Sequence, residues 1–296
     1  MRKMQSGAWF CVDIGGTKTA FAAFDCEGNE LFYDCFATAS EKGAHSLAAR
    51  VYEKSAALLR EHKVLGGVLA SPGPLDLSCG RIINAVLLGW KDEPIAEIFG
   101  ETFGFPFSLV NDCDAGALGV QALRKGKNDS VLVYVSVSTG IGGGITVNGD
   151  LVRGGGNAAN FGHIRVQGEG IICGCGEVDC LELYASGSGI EKRYYERTGK
   201  SLGCADIAAA ARLGDETARA LFVSAGEKTA RVLKAVCAVL DPDIIVLGGS
   251  VIKSRDLFID EIYKLIDSGR IAFAPEHGKQ VLIGAYEYAV RCGGKS

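Results

Sequence analysis

Short, densely apolar runs along the chain end in glycine-rich turns, and between them lie segments whose apolar residues recur at helical spacing. Residues 9–14 read as a buried strand that stops at Gly15-Gly16-Thr17. Residues 20–25 read as a second strand, and Leu31 begins a third after the turn at Glu27-Gly28-Asn29. The spacing predicts a helix over 47–59, then a strand over 66–70 leading into the turn Ser71-Pro72-Gly73-Pro74. A strand over 107–110 stops at Asn111-Asp112, and 115–123 is predicted helical. Further on, a strand over 131–137 leads through the glycine loop 139–144 to a returning strand over 144–147. A helix over 227–240 is ended by Asp241-Pro242, and a strand over 244–247 is closed by Gly248-Gly249. A strand, glycine loop, strand unit thus occurs twice, near 9–25 and near 131–147. This pattern predicts an α/β protein of two related halves with a cleft between them.

Composition narrows the class. At 296 residues the chain is long enough for two domains with cores of their own. With 48% apolar residues, 22% charged residues and a net charge of −4, it predicts neither a nucleic-acid nor a membrane surface, and no apolar run approaches membrane-spanning length. Met1-Arg2-Lys3 is basic, but the apolar run behind it is too short for a secretory signal and meets Asp13 at once. With 11 cysteines, an odd number, the expectation is reduced thiols in the cytoplasm. Nor is a segment expected ahead of the first strand that could hold a helix-turn-helix.

Candidate chemistry begins with sulfur. His163, Cys173, Cys175 and Cys180 offer one imidazole and three thiolates, the donor set of a closed, tetrahedral, structural Zn²⁺ site. A disulfide is the competing explanation, but it leaves His163 without a role. The loop Asp13-Ile14-Gly15-Gly16-Thr17-Lys18 suits an anion: glycines allow backbone N–H groups to approach closely, Thr17 and Lys18 add donors, and Asp13 can help hold Mg²⁺, usually through water. The loop at Ser138-Thr139-Gly140-Ile141-Gly142-Gly143-Gly144 repeats that logic. Either could be a plain hairpin turn; two of them, each between apolar strands, point to phosphates. Other nucleotide patterns fail. Thr198-Gly199-Lys200-Ser201 mimics the end of a P-loop, yet Tyr194 stands where its first glycine is required. Gly154-Gly155-Gly156-Asn157-Ala158-Ala159 lacks the flanking strand and helix of a dinucleotide site. Asn111-Asp112 is the candidate catalytic pair. A strand delivers it to a sheet edge, Asp112 can accept a hydroxyl proton, and Asn111 can orient a sugar hydroxyl; a helix N-cap is the bland alternative, compatible with both roles.

These motifs together resemble the ROK family of sugar kinases (repressor, open reading frame, kinase). Residues 13–18 resemble its first phosphate motif, Asn111-Asp112 its catalytic pair and 139–144 its second phosphate motif. Gly162-His163, Cys173-Gly-Cys-Gly176, Cys180-Leu-Glu182 and Ala185-Ser-Gly187 resemble its zinc and sugar signature, and 241–250 its nucleotide segment. The resemblance covers nearly the whole chain. It implies the actin-like ATPase (ribonuclease H-like) fold, with a smaller N-terminal α/β domain over 1–112 joined by a C-terminal helix at about 285–296. A larger α/β domain over 113–284 would carry the zinc loop. It implies ATP-dependent phosphorylation of a 6-hydroxyl with Mg²⁺, and Asp112 as general base. Gly73, Asn111, Asn160, His163 and Glu182 would face the sugar. Asp13, Gly15, Gly16, Thr17, Lys18, Thr139, Gly140, Gly142, Gly248 and Gly249 would face the nucleotide. Sugar and ATP are the expected partners and a homodimer the expected assembly. Asn160 departs from the family, which usually carries Glu three residues before the zinc His; Val86-Leu87-Leu88 stands where Asn-Leu often precedes Gly-Trp; Asp179 replaces the usual Gly before Cys180. Family N-acetylmannosamine kinases also tend to lose that Glu and to read Ser-Thr-Gly at the second loop, so N-acetylmannosamine and glucose are the leading sugars. A non-catalytic sugar sensor, a fructokinase-type activity and a chaperone-like ATPase are the alternatives.

Overall fold

The structure, a computed structural model, describes residues 7–124, 126–127, 129–156, 158–275 and 278–293; Asn157 and the last residues of the expected C-terminal helix, 294–296, lie outside them. The chain splits into two compact units, Met1–Lys125 with Lys279–Ser296, and Gly126–Gly278. The boundary expected at 112/113 therefore falls later, and the returning segment begins earlier than 285.

The first unit opens with β1 (Ala8–Ile14), β2 (Lys18–Asp25) and β3 (Glu30–Ala37), followed by α1 (Ala44–Glu61) and β4 (Val64–Ser71). Three short strands, β5 (Leu75–Asp76), β6 (Arg81–Ala85) and β7 (Trp90–Glu93), make a small separate sheet. Then come α2 (Ile95–Phe103), β8 (Phe107–Asn111) and α3 (Asp112–Leu123). The main sheet has the order β3-β2-β1-β4-β8, with the first three strands antiparallel and β1, β4 and β8 parallel. Phe10, Cys11 and Val12, which alternate between the two faces of β1, are all fully buried, as expected of a strand covered on both faces. Phe10, Phe99, Phe103 and Phe107 meet ring to ring in its core, with centroids 5.2–6.4 Å apart.

The second unit runs through β9 (Val131–Val137), β10 (Ile141–Val147), β11 (Asp150–Leu151), α4 (Glu182–Ala185), α5 (Gly187–Thr198), α6 (Cys204–Arg212), α7 (Glu216–Leu240), β12 (Ile244–Gly248), α8 (Ile259–Tyr263) and β13 (Ile271–Phe273). Its sheet has the order β11-β10-β9-β12-β13, again an antiparallel hairpin beside parallel strands. The β9–β10 pairing starts at Val137↔Ile141, so the glycine stretch expected as loop to residue 144 is mostly strand, and only Ser138-Thr139-Gly140 turns. Gly143 is required inside that strand because Phe161 and the Tyr134 carbonyl occupy the space a side chain would need.

The last helix, α9 (Gln280–Gly293), returns to the first unit, packing on α3 and on β1 and β4. This pairing keeps α3 with the N-terminal strands. Among the described residues no helix is long and apolar enough to cross a membrane.

Candidate functional site

In the first unit the parallel strands β1, β4 and β8 all end at one sheet edge, where ligands of open α/β sheets bind. Asp13 pairs with Ala70 across β1 and β4, and Ser71 with Asn111 across β4 and β8. Asn111 is the N-cap of α3: its Oδ1 accepts from the Cys113 and Asp114 amides at 2.9 and 3.3 Å. Its Nδ2 lies beside Gly73, where a Cβ would stand 3.7 Å from it. Asp112, half-buried, is the first residue of the helix, and its Oδ1 also accepts from the Cys113 amide at 2.9 Å. Burial pushes its pKa above the ordinary carboxylate range, against the pull of that amide. Burial, and next the nearby Asp112 charge, push Asp13 up to about 7, with Lys18 opposing. An acidic pair in this state suits a divalent cation, which would relieve the repulsion.

The first glycine loop closes on itself, the Gly15 amide donating to the Lys18 carbonyl at 3.0 Å. A Cβ on Gly15 would stand 2.9 Å from that oxygen, and one on Gly16 3.1 Å from the Leu87 side chain. Thr17 and Lys18 are exposed; the Cys35 side chain, and then Tyr33, keep the Lys18 ammonium charged. Half-exposed Leu87 thus packs against the first glycine loop itself.

In the second unit the parallel strands β9 and β12 likewise end together, setting Ser138-Thr139-Gly140 beside Gly248-Gly249-Ser250. Gly249, at φ +93°, presses its backbone on the Val137 carbonyl and admits no side chain. Ser138 and Ser250 share a hydroxyl hydrogen bond of 3.1 Å. Gly142 lies within β10 opposite Ser136, away from the turn. Sequence reasoning missed what holds this turn. Ser188 at the start of α5 donates its hydroxyl to the Thr139 carbonyl at 2.6 Å, and the Glu182 carboxylate accepts from the Ile141 amide at 2.9 Å. Glu182, expected at the sugar, thus holds the first residue of the strand that follows this turn.

The four sulfur and nitrogen donors converge. The ligand atoms of His163, Cys173, Cys175 and Cys180 all lie within 4.8 Å of one another, with Cys175 and Cys180 sulfurs 3.5 Å apart and Cys173 sulfur 3.7 Å from His163 Nδ1. A tetrahedron with zinc–sulfur bonds near 2.3 Å and a zinc–nitrogen bond near 2.0 Å has edges of about 3.5–3.8 Å, which those two separations match, and the donor set suits that ion. Desolvation raises the Cys180 thiol to about 12, so a thiolate there calls for a cation. No disulfide joins these cysteines. Asp179 sits at φ +59°, and its carboxylate accepts from the Gly170 and Ile171 amides, both at 2.9 Å, and from the Tyr184 hydroxyl at 2.5 Å. It pins the strap before Cys173 and takes no ligand away. Asn160 is exposed, immediately before the short turn that carries His163.

The chain is similar to known proteins over most of its length. The ROK family profile matches residues 9–283. A glucokinase of Streptomyces coelicolor is 30% identical over 271 residues, covering 86% of this chain and 85% of that protein. An N-acetylmannosamine kinase of Yersinia pestis is 34% identical over 251 residues, 83% of each chain. The crystal structure of a ROK family glucokinase from Streptomyces griseus, in complex with glucose and AMPPNP, superposes with a TM-score of 0.79 at 29% identity, over 96% of this chain and all of that one.

Proposed function

The chain belongs to the ROK family, with its actin-like ATPase fold, and on that footing we propose that it transfers the γ-phosphoryl group of ATP to the 6-hydroxyl of a hexose or N-acetylhexosamine. One observation carries the chemistry: Asn111-Asp112 stands at the C-terminal edge of the parallel strands, beside Gly73 and within electrostatic reach of Asp13. Asp112 takes the proton of the sugar hydroxyl as that oxygen bonds to the γ-phosphorus. The bond from phosphorus to the β–γ bridging oxygen breaks, leaving ADP and the sugar 6-phosphate. Asn111, its Oδ1 held by the helix cap, offers Nδ2 to orient the sugar. The two glycine turns receive phosphate oxygens on backbone N–H groups, and Lys18 adds a cation. Asp13 is the residue that would hold, through water, the Mg²⁺ accompanying ATP, which would supply charge neutralisation to the phosphates. Zinc at His163, Cys173, Cys175 and Cys180 would order the loop that carries Asn160 and leads to Glu182, and does no chemistry itself.

Among sugars, N-acetylmannosamine and glucose are the first to test. Exposed Asn160 stands where the family usually places a glutamate. An amide can donate to the carbonyl of a 2-acetamido group; a carboxylate cannot. Purified protein with MgATP, assayed against a panel of hexoses and N-acetylhexosamines, is expected to show higher kcat/KM on a 2-acetamido sugar than on glucose. Asn160→Glu is expected to move that ratio toward glucose by roughly three- to tenfold, the worth of one polar contact. A wild-type preference for glucose, or a ratio untouched by the substitution, would remove Asn160 from the recognition of the sugar.

A further inference from the structure

Gly15 and Thr17 in the first phosphate loop both give their carbonyls to one residue outside it. Thr38, 1% exposed, follows β3 and lies 23 positions along the chain from Gly15. Its hydroxyl donates to the Gly15 carbonyl at 2.6 Å, and its amide donates to the Thr17 carbonyl at 3.0 Å. The Thr19 hydroxyl, fully buried, lies 3.0 Å from the same Thr38 oxygen. A hydroxyl has one proton to give. Since that of Thr38 goes to Gly15, Thr19 is the donor in the second bond. The result is a directed chain from Thr19 through Thr38 to the loop, in which each bond polarises the next. From the other side Arg50 on α1 donates to the Thr38 carbonyl at 2.8 Å and the Ala37 carbonyl at 2.5 Å, with its guanidinium 4.2 Å above the Phe36 ring.

Thr38 is too buried to touch a ligand, whereas Thr17 and Lys18 are exposed. An anion is received by N–H groups and repelled by carbonyl oxygens, so a phosphate loop works only if its carbonyls are committed elsewhere. We propose that Thr38 is a positioning residue for the first phosphate loop, fixing the Gly15 and Thr17 carbonyls inward so that the loop meets the nucleotide with its N–H groups, and that Arg50 anchors Thr38 in turn. This rests on the identification of residues 13–18 as a nucleotide-phosphate motif.

The test is calorimetric binding of Mg²⁺ with a non-hydrolysable ATP analogue, beside kcat and KM for MgATP with the best sugar of the panel. Thr38→Val keeps the shape and deletes the donor. It is expected to raise the nucleotide Kd and KM by roughly three- to tenfold, the worth of one hydrogen bond, with the KM for sugar unchanged. Thr38→Ser keeps the hydroxyl and is expected to restore nucleotide affinity. Arg50→Met, at the rim of the core, is expected to act in the same direction and serves where Thr38→Val does not fold. A folded Thr38→Val with wild-type nucleotide affinity, or equal affinities for all three variants and the parent, would overturn the proposal. Wild-type protein that binds the analogue and phosphorylates no sugar would sink the kinase assignment and leave the Thr38 comparison standing on binding alone. Protein that binds no nucleotide at all would sink both.

Discussion

Asp112 carries opposing influences at the scale of one residue. It stands at the first turn of α3, where the helix dipole and the Cys113 amide favour its anion, and burial favours its acid. Burial wins, so its pKa lies above the ordinary carboxylate value near ~3.9. A general base works only when deprotonated. Rate should therefore fall as pH drops through a pKa higher than that of a free aspartate, and should be flat above it. Asp112→Asn keeps the shape and removes the base; kcat should drop on the order of 10²–10⁴-fold while nucleotide binding persists. A variant with near wild-type kcat, or a parent whose acid limb sits at an unperturbed carboxylate pKa, would take Asp112 out of this role. The pair itself was legible in the sequence because it follows an apolar run and offers chemistry in adjacent letters. Its surroundings were not. Thr38 to Gly15, Glu182 to Ile141 and Ser188 to Thr139 join residues 23, 41 and 49 positions apart, and no local pattern announces them.

At the scale of elements, the strands and their glycine turns followed from apolar runs, because strands buried on both faces need no other signal. Two expected boundaries moved. Gly142 and Gly143 read as loop and are strand, and Gly143 is required because Phe161 packs onto the sheet there. The helix expected over 227–240 begins earlier, at Glu216, and runs through Gly226; the Phe258 carbonyl, 2.6 Å from where a Cβ would be, leaves room there only for glycine. The small sheet β5-β6-β7 escaped notice because its strands are two to five residues long and Ile83, on β6, is exposed. The convergence of His163, Cys173, Cys175 and Cys180 was the most legible feature of the second unit, since these donors are unusual residues closely spaced. The loop that carries them has little regular structure of its own: isolated bridges join Arg165 to Cys180 and Ile172 to Val178. Metal is therefore expected to supply much of its order. Elemental analysis should find stoichiometric zinc, and Cys175→Ser should lower both zinc content and the unfolding temperature; metal-free protein of undiminished stability would refute the site.

At the scale of the whole chain, each unit has its own buried apolar cluster, and the last helix returns to the first unit by packing on α3, β1 and β4. That return depends on two glycines. α3 and α9 cross so closely that a Cβ on Gly119 would collide with the Gln280 carbonyl and one on Gly284 with the Ala115 carbonyl. Helix propensity and packing then give opposite signs for one substitution. In an unencumbered helix interior, Gly284→Ala should stabilise by about 0.5–1 kcal/mol, because glycine loses more backbone freedom on folding. In this crossing the new methyl meets main-chain atoms that no rotamer change can move, and overpacking of that kind costs about 1–3 kcal/mol. The net expectation is destabilisation, with an unfolding midpoint below that of the parent in both heat and denaturant. Val290→Ala, on the exposed side of the same helix, should stay within about 0.5 kcal/mol of the parent. Should Gly284→Ala raise stability instead, α3 and α9 do not meet backbone to backbone, and the C-terminal helix closes the first unit by some looser contact.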